Sequence, residues 1–140
     1  MVEDIPRKKL YTLNQEVFAT LIGGPLGGAL LVSQNYRQSG AARQARLAIV
    51  VGLLVTVALP PIALVLPEWV PRFALPLAYT IAFRELAKHL QQDQMKSLAE
   101  EEGERRTWRV TVGVSLLALV AMVALYAAMV MVWAVLLSLR

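Results

Sequence analysis

The sequence predicts an all-α membrane protein with three to four transmembrane helices, and three observations lead there. Of its 140 residues, 57% are hydrophobic and 17% charged, with a mean hydropathy of +0.55, outside the balance of a soluble domain. Charge is absent from residues 17–35, 47–67, 73–83 and 110–139, and about 20 apolar residues suffice to cross ~30 Å of hydrocarbon. The Lys and Arg residues stand beside these runs, as topology signals do. A pI near 9.8 points less to nucleic acid, because no basic stretch is interleaved with aromatics. With no cysteine, the chain has no disulfide framework and no thiolate metal or redox site.

Residues 1–16 form an interfacial arm, with Leu10, Leu13 and Val17 spaced for one helical face on the headgroups. Thr12 or Asn14 caps the helix that follows. Arg7, Lys8 and Lys9 ahead of an apolar run imitate a signal peptide. No small-x-small cleavage site follows Leu31 before the polar Ser33, Gln34 and Asn35, so the segment is expected to be retained.

Residues 17–35 contain "LIGGPLGGALL", in which Gly23 and Gly27, and Gly24 and Gly28, make two overlapping GxxxG pairs around Pro25. That spacing lets a helix approach a neighbour closely. Pro beside Gly also suits a helix broken or re-entrant at Gly23–Pro25, provided its freed carbonyls face protein or water.

Residues 47–66 are a spanning helix, kinked near its end by Pro60 and Pro61, whose missing donors disrupt the ladder. "PEWVPR" follows as a turn, with Trp69 and Phe73 in the aromatic belt. Residues 70–90 complete a second span if Arg84, Glu85 and Lys88 snorkel or pair. A cytoplasmic helical extension is expected over about 84–102, inside a connection of residues 91–107. Its "EEEGERR" reads as a solvated helix end or as an acidic, partner-binding patch before a basic cluster. Residues 108–139 carry 30 uncharged residues between Arg109 and Arg140, anchored by Trp108 and Trp133. At about 45 Å that helix must tilt or protrude. Gly113 and Ser115 would let it approach a neighbour.

The positive-inside rule weighs the two forms of the first segment. The 14 Lys and Arg residues divide into three on the arm, three on the linker, one in the turn, six on the long connection and one at the C-terminus. A spanning first segment puts nine inside and five outside; a segment that enters and leaves on one side gives twelve against two. Length favours the span, because 18 residues nearly reach across. Both forms stay open at this stage. Either places loops 37–46 and 84–109 in the cytoplasm.

Gly23, Gly24, Pro25, Leu26, Gly27 and Gly28, followed by Asn35, Tyr36 and Gly40, resemble small bacterial inner-membrane proteins with a GGPL(A/G)(A/G) core and an N(F/Y)-x-x-x-G ending. A weaker likeness lies in "LPLAYTIAF", with Pro76 and Tyr79. The resemblance covers about the first 90 residues. It implies a multi-pass protein of the bacterial inner membrane and supplies no activity.

Glu16, at the mouth of the first run, is the candidate for proton coupling, since a carboxylate inside a membrane resists ionisation. The plainer reading is a helix N-terminal carboxylate favoured by the dipole. Asn35 and Tyr36, with Gln34, offer a polar site for a headgroup or a partner backbone; a helix end and a belt tyrosine are the alternative. His89 is the single histidine, so a His-based metal cluster or a Ser/His/Asp triad would need at least a second component, and with Glu85 it reads as an i, i+4 surface pair. Arg43, Arg46, Arg105, Arg106 and Arg109 are placed at anionic headgroups.

These features predict a non-enzymatic protein without a cofactor that works by contact, with a protein partner or its own copies. It is either an accessory subunit or an immunity protein that blocks a membrane-active toxin. The alternative is a small oligomeric transporter or channel that uses Glu16 and the glycine-rich cleft.

Overall fold

The computed structural model describes residues 10–71, 73–90 and 106–139. Among them run four helices: α1 (Leu13–Gln38), α2 (Ala42–Val65), α3 (Ala74–Leu90) and α4 (Trp108–Ser138). By length and composition α1, α2 and α4 each suffice to cross a membrane, at 26, 24 and 31 residues.

Thr12, extended at φ −82° and ψ 157°, is the N-cap of α1, and Gln15 Oε1 accepts its N–H at 2.9 Å. After eleven helical residues the helix breaks. Gly24 sits at φ 64°, ψ −167°, a region essentially closed to residues with a Cβ, and Pro25 brings no N–H to continue the ladder. The result is two arms, residues 13–23 and 25–38, about 17 and 21 Å long.

The arms fold back on one another. In a continuous helix residues 19 and 27 would stand about 12 Å apart, yet a Cβ on Gly27 would strike the Ala19 carbonyl oxygen, and one on Gly28 would strike the Thr20 hydroxyl. At the open end Tyr11 is hydrogen-bonded to Asn35. Thus α1 is a helical hairpin with its tip at Gly24.

This hairpin is the interior of the molecule. The most apolar 18-residue stretch of α1 is 67% buried, against 11% for α2 and 0% for α4, so α1 fills the centre and the others wrap it. α2, α3 and α4 all pack mainly on α1 and scarcely on each other. Their outer faces carry exposed Leu54, Ile81, Leu117 and Val130, the surface a hydrocarbon solvent covers.

Gly40, at φ 78°, turns the chain between α1 and α2, and the Ala41 N–H donates to the Tyr36 carbonyl at 2.9 Å. This corrects the expected linker of residues 37–46. Helix α2 already begins at Ala42, so Arg43 and Arg46 lie on its first turns, exposed. Pro60 and Pro61 lie inside α2 without ending it. The carbonyl that Pro60 deprives of its donor belongs to Thr56, and the Tyr126 hydroxyl of α4 donates to it at 3.1 Å.

Helix α3 is shorter than the expected 70–90 span. The hydrogen bonds Val70 N–H to Pro67 O and Ala74 N–H to Pro71 O keep the preceding residues in turns. Its 17 residues, about 25 Å, fall short of the hydrocarbon thickness. The expected extension is helical as far as Leu90; residues 91–105, including "EEEGE" and Arg105, lie outside the described residues. In α4 only Thr111, Ser115 and Ala118 are buried, one stripe at helical spacing that faces the hairpin.

Candidate functional site

The open end of the hairpin gathers a buried polar cluster. Asn35, 1% exposed, clamps the backbone of Tyr11: its Oδ1 accepts the Tyr11 N–H at 2.8 Å and its Nδ2 donates to the Tyr11 carbonyl at 3.1 Å. The same Nδ2 donates to Glu16 Oε1 at 2.8 Å. Glu16 is therefore covered by the protein itself. It is fully buried one turn into the first arm, where the reversal of α1 brings Asn35 over it.

Around this clamp the start of α4 is tied down. Arg106 donates from a guanidinium nitrogen to Gln34 Oε1 at 2.8 Å, and the Tyr11 hydroxyl donates to the same oxygen at 3.0 Å. The Arg106 guanidinium carbon lies 5.0 Å from the Tyr11 ring centroid. Gln15 Nε2 donates to the Arg106 carbonyl at 2.7 Å, and the Arg106 N–H reaches the Leu10 carbonyl at 3.3 Å. Burial raises the pKa of the Tyr11 hydroxyl, opposed by the nearby Arg106 charge, so the phenol keeps the proton it donates. Beside the cluster Phe18 meets Trp108 edge to face, centroids 5.6 Å apart.

The Arg106 side chain, half-buried, thus has partners within the protein. Arg43, Arg46 and Arg109 remain exposed. Tyr36 is 7% exposed and belongs to a small core with Val32, Ala45 and Ala87.

At the other end, the glycine pairs do not form one helical face, because the break at Gly24 separates them. Gly23 abuts Ala118 and Ser115 of α4, and Gly24 abuts Met122. Gly27 is against Ala19 of the opposite arm, and Gly28 is against Thr20 and Phe83. The close approach that GxxxG spacing predicted for a partner helix is made within the chain. Ser115 takes part in it, whereas Gly113 has nothing within 4 Å of a would-be Cβ.

Pro25 also floors a cleft of about 360 Å³ between α2 and α3, with Ala29 and Val32 beneath it and Gln44, Val51 and Phe83 on its walls. Among the described residues no three His, Cys, Asp or Glu side chains come together to hold a metal. Sequence reasoning did not anticipate Tyr11, Gln15 or the inward Arg106. Gln15 has a local signal, the Thr12-x-x-Gln15 capping box, but nothing local marks its bond to Arg106 or the bonds of Tyr11, whose partners lie 23 to 91 positions away. Gly52 was likewise missed, although a lone glycine in an apolar helix is a usable signal of close packing; a Cβ there would strike Ala29.

No protein family matches the chain, and neither does a curated protein or a solved structure.

Proposed function

We propose that this chain is a bacterial inner-membrane protein in which α1 is a re-entrant hairpin entering from the cytoplasmic side, and that it acts by protein contact as an accessory subunit. Support for the hairpin's depth comes from its neighbours. Its tip meets Gly52, about halfway along α2, and Met122, about halfway along α4. Two arms of about 17 and 21 Å reach into, but not through, ~30 Å of hydrocarbon. The positive-charge distribution of twelve against two favours the same orientation, and the GGPLGG likeness favours the bacterial inner membrane.

The observation that carries the contact reading is the disparity within α4. Its 31 residues run about 46 Å, and its buried side chains end at Ala118. Beyond it Met122 meets the hairpin tip and Tyr126 reaches Thr56 of α2, but the rest of the helix, with Val130 and Trp133 exposed, runs on past the tip as an apolar helix that stays largely uncovered. The glycine-rich surfaces that the transporter reading requires are filled by Ala19, Thr20, Phe83, Ala118 and Met122.

The test is site-specific photo-crosslinking in the native membrane, with the photoreactive residue at Leu117 or Val130 of α4 and, as the comparison, at Leu54 of α2. One stoichiometric protein adduct from the α4 sites and none from Leu54 is the expected result. Adducts to second copies alone, or equal adducts from all three sites, would overturn it. Proton-coupled transport abolished by Glu16→Gln would establish the transporter instead.

A further inference from the structure

Helices α2 and α3 both lie on the second arm of α1 and hardly touch each other, which leaves a lengthwise cleft between them. Its volume, about 360 Å³, is within the range of small-ligand sites, roughly 300–1,000 Å³. The lining is apolar, and its rim is open to the outside: Leu47, Val51 and Leu86 are each about half exposed.

Of the polar lining residues, Tyr36 and Gln44 stand at one end and Tyr79 toward the other, and a cationic side chain continues the lining stripe at the Gln44 end. Along α2, Leu47, Val51 and Val55 line the cleft at four-residue intervals, and Arg43, exposed, stands one turn further along the same stripe. Gln44 lines the mouth beside it. Arg37 and Arg46 are exposed at the same end of the bundle, where α1 ends and α2 begins. From Gln44 to Val55 the cleft runs about 17 Å, close to half of a ~30 Å hydrocarbon core and so to the depth of one leaflet.

We propose that this cleft binds one acyl chain of an anionic phospholipid, whose phosphate is taken by Arg43 and Gln44. The occupant follows from three features together: a one-leaflet length, an apolar channel open sideways to the bilayer, and Arg43 continuing the lining stripe of α2 at the headgroup end. Guanidinium and carboxamide donors match phosphate oxygens. The site is separate from the partner face of α4, and either can fail without the other.

Native mass spectrometry of the full chain tests this, after release from nanodiscs of equal phosphatidylglycerol and phosphatidylethanolamine. The wild type is expected to retain one phospholipid per chain, enriched several-fold in phosphatidylglycerol. Val55→Phe with Ala82→Phe fills the cleft from positions that are already exposed and should reduce retained lipid about tenfold. Ala124→Phe, on the outer surface of α4, should change nothing. Arg43→Gln should abolish the preference for phosphatidylglycerol while retention continues. Should the double variant not fold, Arg43→Gln decides: an unaltered preference overturns the proposal. So do equal retention of both lipids by the wild type, undiminished retention by a folded double variant, and a cysteine at Val51 that crosslinks to a second copy.

Discussion

Asn35 does for Tyr11 what a neighbouring strand would do, satisfying the N–H and C=O of one residue with a single carboxamide while holding Glu16 with its second donor hydrogen. Asn35→Leu removes all three bonds and leaves the buried Tyr11 backbone without partners. At about 1 kcal/mol per bond, plus the penalty for stranded groups, a loss of roughly 3 kcal/mol or more is expected in denaturant titration in detergent. Glu16→Gln keeps an acceptor for Asn35 and is expected to cost less than about 1 kcal/mol in the same measurement. Glycine positions should divide as sharply. Gly24→Ala carries a Cβ into a backbone region that costs about 1–3 kcal/mol. Gly27→Ala sets a methyl against the Ala19 carbonyl, which cannot move without opening the hairpin. Gly113→Ala meets open space and should be neutral or slightly stabilising, within about 1 kcal/mol. Equal thermal stability of all three variants would refute this account of the hairpin.

Proline inside α2 makes a prediction at the scale of the element. The Thr56 carbonyl, which has lost its i+4 donor to Pro60, is satisfied from another helix by Tyr126. Tyr126→Phe should therefore destabilise by about 1 kcal/mol in the native background. In a Pro60→Ala background the restored N–H makes the hydroxyl redundant, and the penalty should vanish. A double-mutant cycle with no coupling would show that the hydroxyl contributes nothing to the link between α2 and α4. The same rule of supplying lost partners explains how α1 survives its break: each arm is walled by other helices, so its disrupted backbone faces protein, as Gly23 facing Ser115 and Gly24 facing Met122 illustrate.

At the scale of the whole molecule, a hairpin enclosed by three helices fixes which ends lie together. Residues 10–12, the end of α1, the start of α2 and the start of α4 share one side, while the turn at Pro67–Pro71 lies at the other end of α2. The chain has no cysteine, so single-cysteine variants give a clean readout. A cysteine at Val2 is expected to be shielded from a membrane-impermeant reagent in intact cells, and one at Glu68 labelled; labelling at Val2 would restore the spanning form of α1. Composition and the spacing of charges were sufficient to read the chain as helices, three of them long and apolar enough to cross a membrane, because an apolar run satisfies its backbone groups locally only as a helix. They also marked Gly24 and Pro25 as a break point, because φ preference and a missing donor are local properties. The direction of the second arm was weighed by the charge count but not decided. It depends on Asn35 meeting Tyr11 and on Gly27 meeting Ala19, contacts that exist only after the chain has reversed. For the same reason the partners of Glu16 and Arg106 could not be read in sequence: Glu16 is buried under Asn35 and Arg106 is held by Gln34 and Tyr11, residues far along the chain that only tertiary structure brings together.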